Sequence, residues 1–351
     1  MRNEIFGHFN CGHQELEDNL PASNYDYVLT TISWETRSNF AFSKLDLSGA
    51  SVVAFRFCTD DERVEAKKDT CELWLRENFT SVSRVDLQKS VRVDENFATL
   101  KEEILDLYRA KRRPLKVLVN ITCLPKAYVL FLLGLCMSAD LVLDFDCLYA
   151  PGKYDLTSSN EDPDVNLGGP RSLVSLGKWT PVRIPYLSPG EFLPPNRDLI
   201  VSVGGEIGHS LPLVRTLEPR NVFLVYISES APSDEREMHA SERVAYEELK
   251  SEPNTSNTDL KLHDAIGVCS YTQTALSASG STGVTAMAIG SKSHALGLGI
   301  AALCDRRIEV VCRIPTAYAP LDVEARGDVH FFRVRDRFEP LAYVRLSDLE
   351  T

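Results

Sequence analysis

The feature that most constrains the fold of this chain is an approximate repeat of one half in the other. Asp26 and Asp198 begin similar segments, residues 121–136 align without a gap with residues 289–304, and a Tyr-Ala-Pro triplet follows in both halves. The three offsets, 172, 168 and 169 residues, are nearly constant and occur in the same order. Three collinear matches indicate an internal duplication.

Within each half, apolar runs alternate with stretches of helical periodicity. In the first half, strands are predicted at 27–32, 51–57, 83–87, 115–121 and 141–147, and helices at 60–78, 96–112 and 125–137. The second half repeats this from 199 to 334, with a polar helix near 234–249 and a loop rich in Asn, Ser and Thr after it. Such alternation implies right-handed crossovers. The predicted class is α/β, with two duplicated Rossmann-like halves, each a mainly parallel sheet flanked by helices.

Composition shifts along the chain predict the domain boundaries. Residues 1–24 form an N-terminal extension, and residues 25–151 form the first Rossmann-like half. Residues 152–196 are dense in Gly, Pro, Asp and Ser, which is typical of a linker, and could hold a small hairpin near 178–185. Residues 197–351 form the second half.

The charge balance excludes one class of partner and leaves another open. With 38 basic and 50 acidic residues the net charge is −12, which argues against a broad nucleic-acid surface but not against a basic pocket for a small anion. The N-terminal segment lacks the apolar core of a signal peptide, and the longest apolar run, 127–137, is too short to span a membrane. The nine cysteines form no CxxC pair and most lie in apolar segments. A cytoplasmic protein without a membrane partner is predicted.

Two loops in each half are expected at the carboxyl ends of the strands, where open parallel sheets bind ligands. Each loop opens a helix, so backbone amides and the positive end of the helix dipole face that edge. Small hydroxyl residues with a cation suit a phosphate-like anion, and glycine permits close approach. Alternatively, Ser and Thr here are ordinary helix caps, and the lysines are solvated. The candidate ligand-binding residues are Ser33, Glu35, Arg37, Thr122, Lys126, Gly204, Gly205, Glu206, His209, Ser291, Lys292 and His294.

Sharper motifs are absent. Gly290-Ser291-Lys292-Ser293 lacks the spacing of a P-loop, and residues 204–208 do not form a dinucleotide fingerprint. His8, Cys11 and His13 lie close together, but a zinc site needs a fourth ligand. Asp144 and Asp146 share one face of a strand, and a polar strand end explains them more simply than a catalytic pair. No metal and no cofactor are predicted.

The fourth strand, its turn with a lysine and the apolar helix after it resemble the signature of CARF domains, Rossmann-like sensors of cyclic oligonucleotides in prokaryotic antiviral systems. Two such halves in one chain also resemble SAVED domains. The turn of the first half departs from this signature, since Leu124-Pro125 replaces its glycine, and the chain shows no HEPN or PD-(D/E)xK effector. The resemblance therefore implies a separate effector or partner protein. The matching positions are Asn120, Thr122 and Lys126, and Gly290, Ser291 and Lys292.

Three hypotheses follow. The first is a binding module for a nucleotide-like anion, acting as a sensor or accessory subunit in antiviral defence. The second is a ring-nuclease-like phosphodiesterase, in which Lys126 or Lys292 stabilises developing charge and His209 or His294 transfers protons. The third is a structural subunit without a ligand. Because neither loop of the first half contains a histidine, the sequence favours binding over catalysis.

Overall fold

The structure is a computed structural model, and it describes residues 2–16, 24–47, 49–153, 175–189, 197–203, 211–228, 240–318 and 322–336. The chain forms two compact units. Unit 1 comprises Met1–Lys153 and Pro320–Thr351, and unit 2 comprises Tyr154–Ala319. Unit 2 is thus inserted into the chain of unit 1. The predicted boundary differs here, because the segment after residue 319, assigned to the second half, belongs to unit 1.

The elements alternate between strand and helix through most of the described chain. The strands are β1 Arg2–Phe6, β2 Phe9–Glu15, β3 Tyr27–Thr31, β4 Ser51–Phe57, β5 Ser81–Leu87, β6 Leu115–Asn120, β7 Val142–Tyr149, β8 Ser175–Arg183, β9 Asp198–Ser202, β10 Val222–Ile227, β11 Thr255–Leu260, β12 Val284–Ala288, β13 Ile308–Tyr318 and β14 His330–Asp336. The helices are α1 Arg37–Phe40, α2 Glu62–Asn78, α3 Val93–Lys111, α4 Lys126–Ser138, α5 Leu211–Leu217, α6 Ala240–Ser251, α7 Ala265–Ser279 and α8 Lys292–Cys304. None of the helices in this part of the chain is both long enough and apolar enough to cross a bilayer.

Among the described residues, each unit contains one sheet. The described strands of unit 1 number eight, in the order β1-β2-β14-β7-β6-β3-β4-β5, and those of unit 2 number six, in the order β11-β10-β9-β12-β13-β8. The strands β3–β7 and β9–β13 pair in parallel, whereas β1, β2, β14 and β8 join antiparallel. Numbered within its own unit, each parallel set has the order 3-2-1-4-5, that of doubly wound sheets. The α/β class with mostly parallel sheets is confirmed.

In each unit, one almost wholly apolar helix follows the fourth parallel strand. Every residue of α4 after Lys126 is buried, and so is every residue of α8 from Ser293 to Leu303. A helix that is apolar on all sides belongs in the interior of a fold. In unit 2, α8 packs closely on α7, since a Cβ at Gly297 would lie 2.3 Å from the carbonyl oxygen of Ala265. These helices hold the turns before them at the sheet edge.

Three segments differ from the sequence-based expectation. The N-terminal extension forms β1 and β2, and β2 pairs with β14, so it is part of the unit 1 sheet. In the predicted linker, β8 pairs with β13 of unit 2. The expected polar loop after α6 is largely the strand β11, which pairs with β10. β1, β8 and β11 lie at sheet edges, where a strand has one neighbour and tolerates polar side chains, so an apolar pattern is not required of it.

Candidate functional site

Six strands end at the carboxyl edge of unit 1, and β14 begins there. The parallel strands β3 to β7 all end there, and because β14 runs antiparallel to β7, it begins there. β2 in turn runs antiparallel to β14 and ends there. The register places Glu15, His330 and Tyr149 side by side across β2, β14 and β7. The side chains at these strand ends and in the turns after them form the candidate site.

A buried ion pair follows β3 at this edge. The Arg37 side chain is only 4% exposed, and its Nε donates a hydrogen bond to Glu35 Oε2 at 2.6 Å. Its Nη1 donates to the Ala150 carbonyl at 3.3 Å, and Ser33 Oγ accepts from the Glu35 amide at 3.1 Å. Burial raises the pKa of Tyr149, and a hydrogen bond with Arg37 opposes that rise. The structure thus brings the predicted residues Ser33, Glu35 and Arg37 together, and the charges of Glu35 and Arg37 offset each other.

The turn after β6 is joined to its neighbours through buried polar groups. Asn120 Nδ2 donates to the Ser38 carbonyl at 2.8 Å, and Asn120 Oδ1 accepts from the Thr122 amide at 3.1 Å. Thr122 is fully buried, and its Oγ1 accepts from the Ala150 amide at 3.0 Å. Thr122 therefore ties the ends of β6 and β7 together.

The N-terminus of α4 differs from those of α2 and α3. Its N-cap residue is Pro125, whose side chain makes no capping bond, and its first turn holds no acidic residue. By contrast, Asp61 caps α2, and the first turns of α2 and α3 each hold two acidic residues. Lys126, the first residue of α4, is partly buried. The helix dipole and Lys126 together make this turn electropositive.

In the corresponding turn of unit 2, a serine side chain caps the N-terminus of the helix. Ser291 is the N-cap of α8, and its Oγ accepts from the His294 amide at 3.0 Å. The same hydroxyl donates to the Leu262 carbonyl at 2.7 Å. Lys292 is partly buried and begins α8. For Ser291, therefore, the ordinary helix-cap interpretation is correct.

Both ring nitrogens of His294 make hydrogen bonds. The side chain is fully buried, and Nε2 lies 2.9 Å from the Lys261 carbonyl oxygen. A carbonyl only accepts, so Nε2 carries the hydrogen, and in the neutral ring Nδ1 accepts from Ser202 Oγ at 3.3 Å. This histidine ties β9 and the loop after β11 to α8. The remaining candidates, Gly204, Gly205, Glu206 and His209, lie outside the described residues.

The two turns also correct the sequence alignment. Both α4 and α8 have 13 residues, and they begin 166 residues apart. The gapless match, with an offset of 168, pairs Lys126 with His294 and is two residues out of register at this point. Position in the fold instead pairs Lys126 with Lys292, each the first residue of the helix after the fourth parallel strand.

The sequence analysis did not identify a cluster of histidine and aspartate side chains near the start of β14. His13 Nε2 lies 3.3 Å from His330 Nδ1, and His330 Nε2 lies 3.1 Å from Asp328 Oδ2. The His13 ring stacks on Phe332, with centroids 4.6 Å apart. His13 and His330 are 317 residues apart in the chain. Only the pairing of β2 with β14 joins them, and no local pattern signals that pairing.

The two aspartates of β7 form a polar ladder with β14. Asp144 Oδ1 lies 3.1 Å from Arg335 Nε, and Asp146 Oδ1 lies 3.4 Å from Arg333 Nε. Burial raises the pKa of Asp146, whereas the hydrogen bond from Tyr25 at 2.8 Å opposes the rise. Both carboxylates therefore face arginines of β14, but they lie within β7 and are buried, so the polar strand end predicted for them is wrong.

Comparison with known proteins identifies no family. No protein-family model matches the chain, and no curated protein matches it. Among solved structures, the cytoplasmic domain of a prokaryotic cation chloride cotransporter is similar, with a TM-score of 0.25 and 8% sequence identity. The match covers 83% of this chain and 96% of that one. A likeness of this degree supports no conclusion about fold or function, so the function is inferred from the site.

Proposed function

We propose that the chain is a binding module for a nucleotide-like anion, bound at the N-terminus of α4 on the carboxyl edge of unit 1. One observation carries this proposal: α4 begins with Lys126 after an N-cap, Pro125, that makes no side-chain capping bond, and its first turn holds no acidic residue. Helix N-termini stabilise anions through backbone amides and the dipole. The turn also lies beside the switch point between β3 and β6, where doubly wound sheets bind ligands.

Unit 1 is favoured over unit 2 because of how the two helices are capped. Ser291 already occupies the N-terminus of α8, whereas Pro125 cannot do the same for α4. Identical strand order and a lysine at the same position support an origin of the two units by duplication of a Rossmann-like half. On this view the anion-binding turn persists in unit 1, while a serine hydroxyl caps the helix in unit 2.

The state of His294, one of the two histidines considered for proton transfer, favours binding over catalysis by this residue. A general base must reach the proton that it removes, yet both ring nitrogens of this buried side chain are engaged within unit 2. The resemblance to CARF and SAVED domains makes cyclic oligonucleotides the first ligands to test. A cytoplasmic sensor or accessory subunit in antiviral defence, acting through a separate effector, is the biological role that we propose.

The test is thermal stability of the full chain against linear and cyclic oligonucleotides and mononucleotides. A ligand that binds only the folded protein adds about 2.7 kcal/mol of stability at a hundred times its Kd. We expect Lys126→Ala to abolish the stabilisation, and Lys292→Ala to leave it intact. Lys101→Ala, which removes a partly buried helical lysine from α3, is the matched control.

Chromatography of each stabilising ligand separates the hypotheses. An intact ligand supports binding, whereas its consumption supports the phosphodiesterase. Stabilisation that survives Lys126→Ala contradicts the proposed site. If no ligand of the panel stabilises the chain, the proposal fails and the structural-subunit hypothesis takes its place.

A further inference from the structure

Two imidazole rings meet at the carboxyl edge of unit 1, away from the turn before α4. His13 comes from β2 and His330 from β14, and the two rings approach through His13 Nε2 and His330 Nδ1 at 3.3 Å. His330 is 4% exposed, whereas His13 is only partly buried. The pair therefore has one buried member, His330, and one member that solvent can reach, His13.

The hydrogen bonds of His330 determine which of its nitrogens can act as a ligand. Its Nε2 lies 3.1 Å from Asp328 Oδ2, and a carboxylate oxygen accepts a hydrogen bond, so Nε2 carries the hydrogen. In the neutral ring, Nδ1 then carries the lone pair, on the side of the ring that faces His13. Either a proton on His13 or a cation can lie between the two nitrogens.

The distance suits a metal ion as well as a proton. Zinc–nitrogen bonds of about 2.0–2.1 Å at a tetrahedral angle place two ligand nitrogens about 3.3–3.4 Å apart. The observed separation of His13 Nε2 and His330 Nδ1 is 3.3 Å. The spacing of the two nitrogens therefore matches that of two ligands of one tetrahedral ion.

The surroundings have two features of histidine metal sites. A ligating histidine commonly donates its second N–H to a carboxylate, which fixes its tautomer and orientation, and Asp328 occupies that position behind His330. The His13 ring is oriented by stacking on Phe332 at an interplanar angle of 8°. Phe332 is also the residue paired with His13 across β2 and β14.

We propose that His13 Nε2 and His330 Nδ1 bind a divalent transition-metal ion, with Asp328 as the carboxylate that orients His330. Imidazole nitrogens suit zinc, copper and nickel rather than magnesium or calcium. Two protein ligands leave coordination positions open to water or to an external ligand, as in sites that exchange ligands rather than closed structural sites. Glu15, opposite His330 in the strand register, is the nearest carboxylate position on β2 that could add a ligand.

The experiment uses the full chain without a histidine tag, freed of metal by chelation and dialysis. Zn²⁺ binding is measured by titration calorimetry, and Co²⁺ binding by the visible absorption that a nitrogen-ligated ion acquires. We expect one ion per chain, and a loss of at least tenfold in affinity in His13→Ala. Asp328→Asn should weaken binding by about 10–100-fold, as other outer carboxylates do.

His8→Ala is the matched control, since His8 lies in the turn between β1 and β2 and is also partly buried. It should bind both ions as the unchanged chain does. His330→Gln serves as a second ligand variant, with circular dichroism to verify that each protein is folded. Absence of Zn²⁺ and Co²⁺ binding in the unchanged chain overturns the proposal, and so does binding that survives His13→Ala. No nucleotide is present, so failure of the anion site leaves this result unaffected.

Discussion

Replacing Gly290 with alanine is expected to destabilise unit 2 substantially. Gly290 lies two residues after the end of β12, where its amide donates to the Ser202 carbonyl at 2.7 Å. A Cβ on this residue would lie 2.2 Å from Ser202 Oγ, 3.0 Å from the Val203 oxygen and 3.2 Å from the Ser202 oxygen. The first distance is too short for any contact, so either the serine side chain or the backbone must move.

The structure gives the size of the effect. If Ser202 Oγ rotates away, the buried Nδ1 of His294 loses its donor, which costs about 1–3 kcal/mol. The two backbone oxygens belong to the end of β9, which lies between β10 and β12, and forcing them apart costs about 1–3 kcal/mol as overpacking. Because movement of one group partly relieves the other, we expect a total of about 2–4 kcal/mol.

Urea and thermal unfolding of the full chain measure this loss. Gly49→Ala is the control, since nothing lies within 4 Å of its Cβ position, and its stability should change by no more than about 0.5 kcal/mol. In a Ser202→Ala background the nearest clash is absent, so Gly290→Ala should cost about 1 kcal/mol less than in the unchanged chain. A Gly290→Ala loss as small as that of Gly49→Ala refutes the reasoning, and so does strict additivity with Ser202→Ala.

Two further substitutions test buried polar groups, one in each unit. Asn96→Leu should destabilise unit 1 by about 1–3 kcal/mol in urea unfolding, because the Gln88 amide at 2.7 Å and the Tyr128 hydroxyl at 2.9 Å lose a buried partner; a change under about 0.5 kcal/mol would contradict this. Burial alone would raise the pKa of Asp198, yet hydrogen bonds led by that from Arg220 outweigh it and hold the pKa below its ordinary value. Ionised Asp198 therefore adds stability above about pH 4, and this contribution is lost as the pH falls through the folded-state pKa. Asp198→Asn should destabilise the chain at pH 7 and progressively less toward pH 3, and an equal loss at both pH values would show that the charge is irrelevant.

The central strands and helices could be predicted because their side chains encode their burial. The apolar run at 51–57 matches β4 to the residue, and the helix predicted at 125–137 is α4 shifted by one. Strands buried on both faces and helices buried on all sides appear in the sequence as continuous apolar runs, which makes their bounds easy to predict. β11 was missed because half of an edge strand faces solvent, and its sequence, TSNTDL, is that of a loop.

The candidate site could be predicted only where neighbours in sequence are neighbours in space. Ser33, Glu35 and Arg37 do form one cluster, and Lys126 does begin a helix at the sheet edge. The histidine pair was not predictable, because His13 is placed by β2 and His330 by β14 at opposite ends of the chain. Strand pairing across such a separation depends on the complete sheet rather than on any local pattern.

The insertion of unit 2 into unit 1 determines the order in which the protein can be completed during synthesis. β14 lies between β2 and β7 in the sheet, yet it leaves the ribosome after all of unit 2. Until then the β1–β2 hairpin has no place in the sheet, and β7 is an open edge able to pair with other chains. A nascent or truncated chain ending before His330 should therefore depend on chaperones, although unit 2 is already fully synthesised.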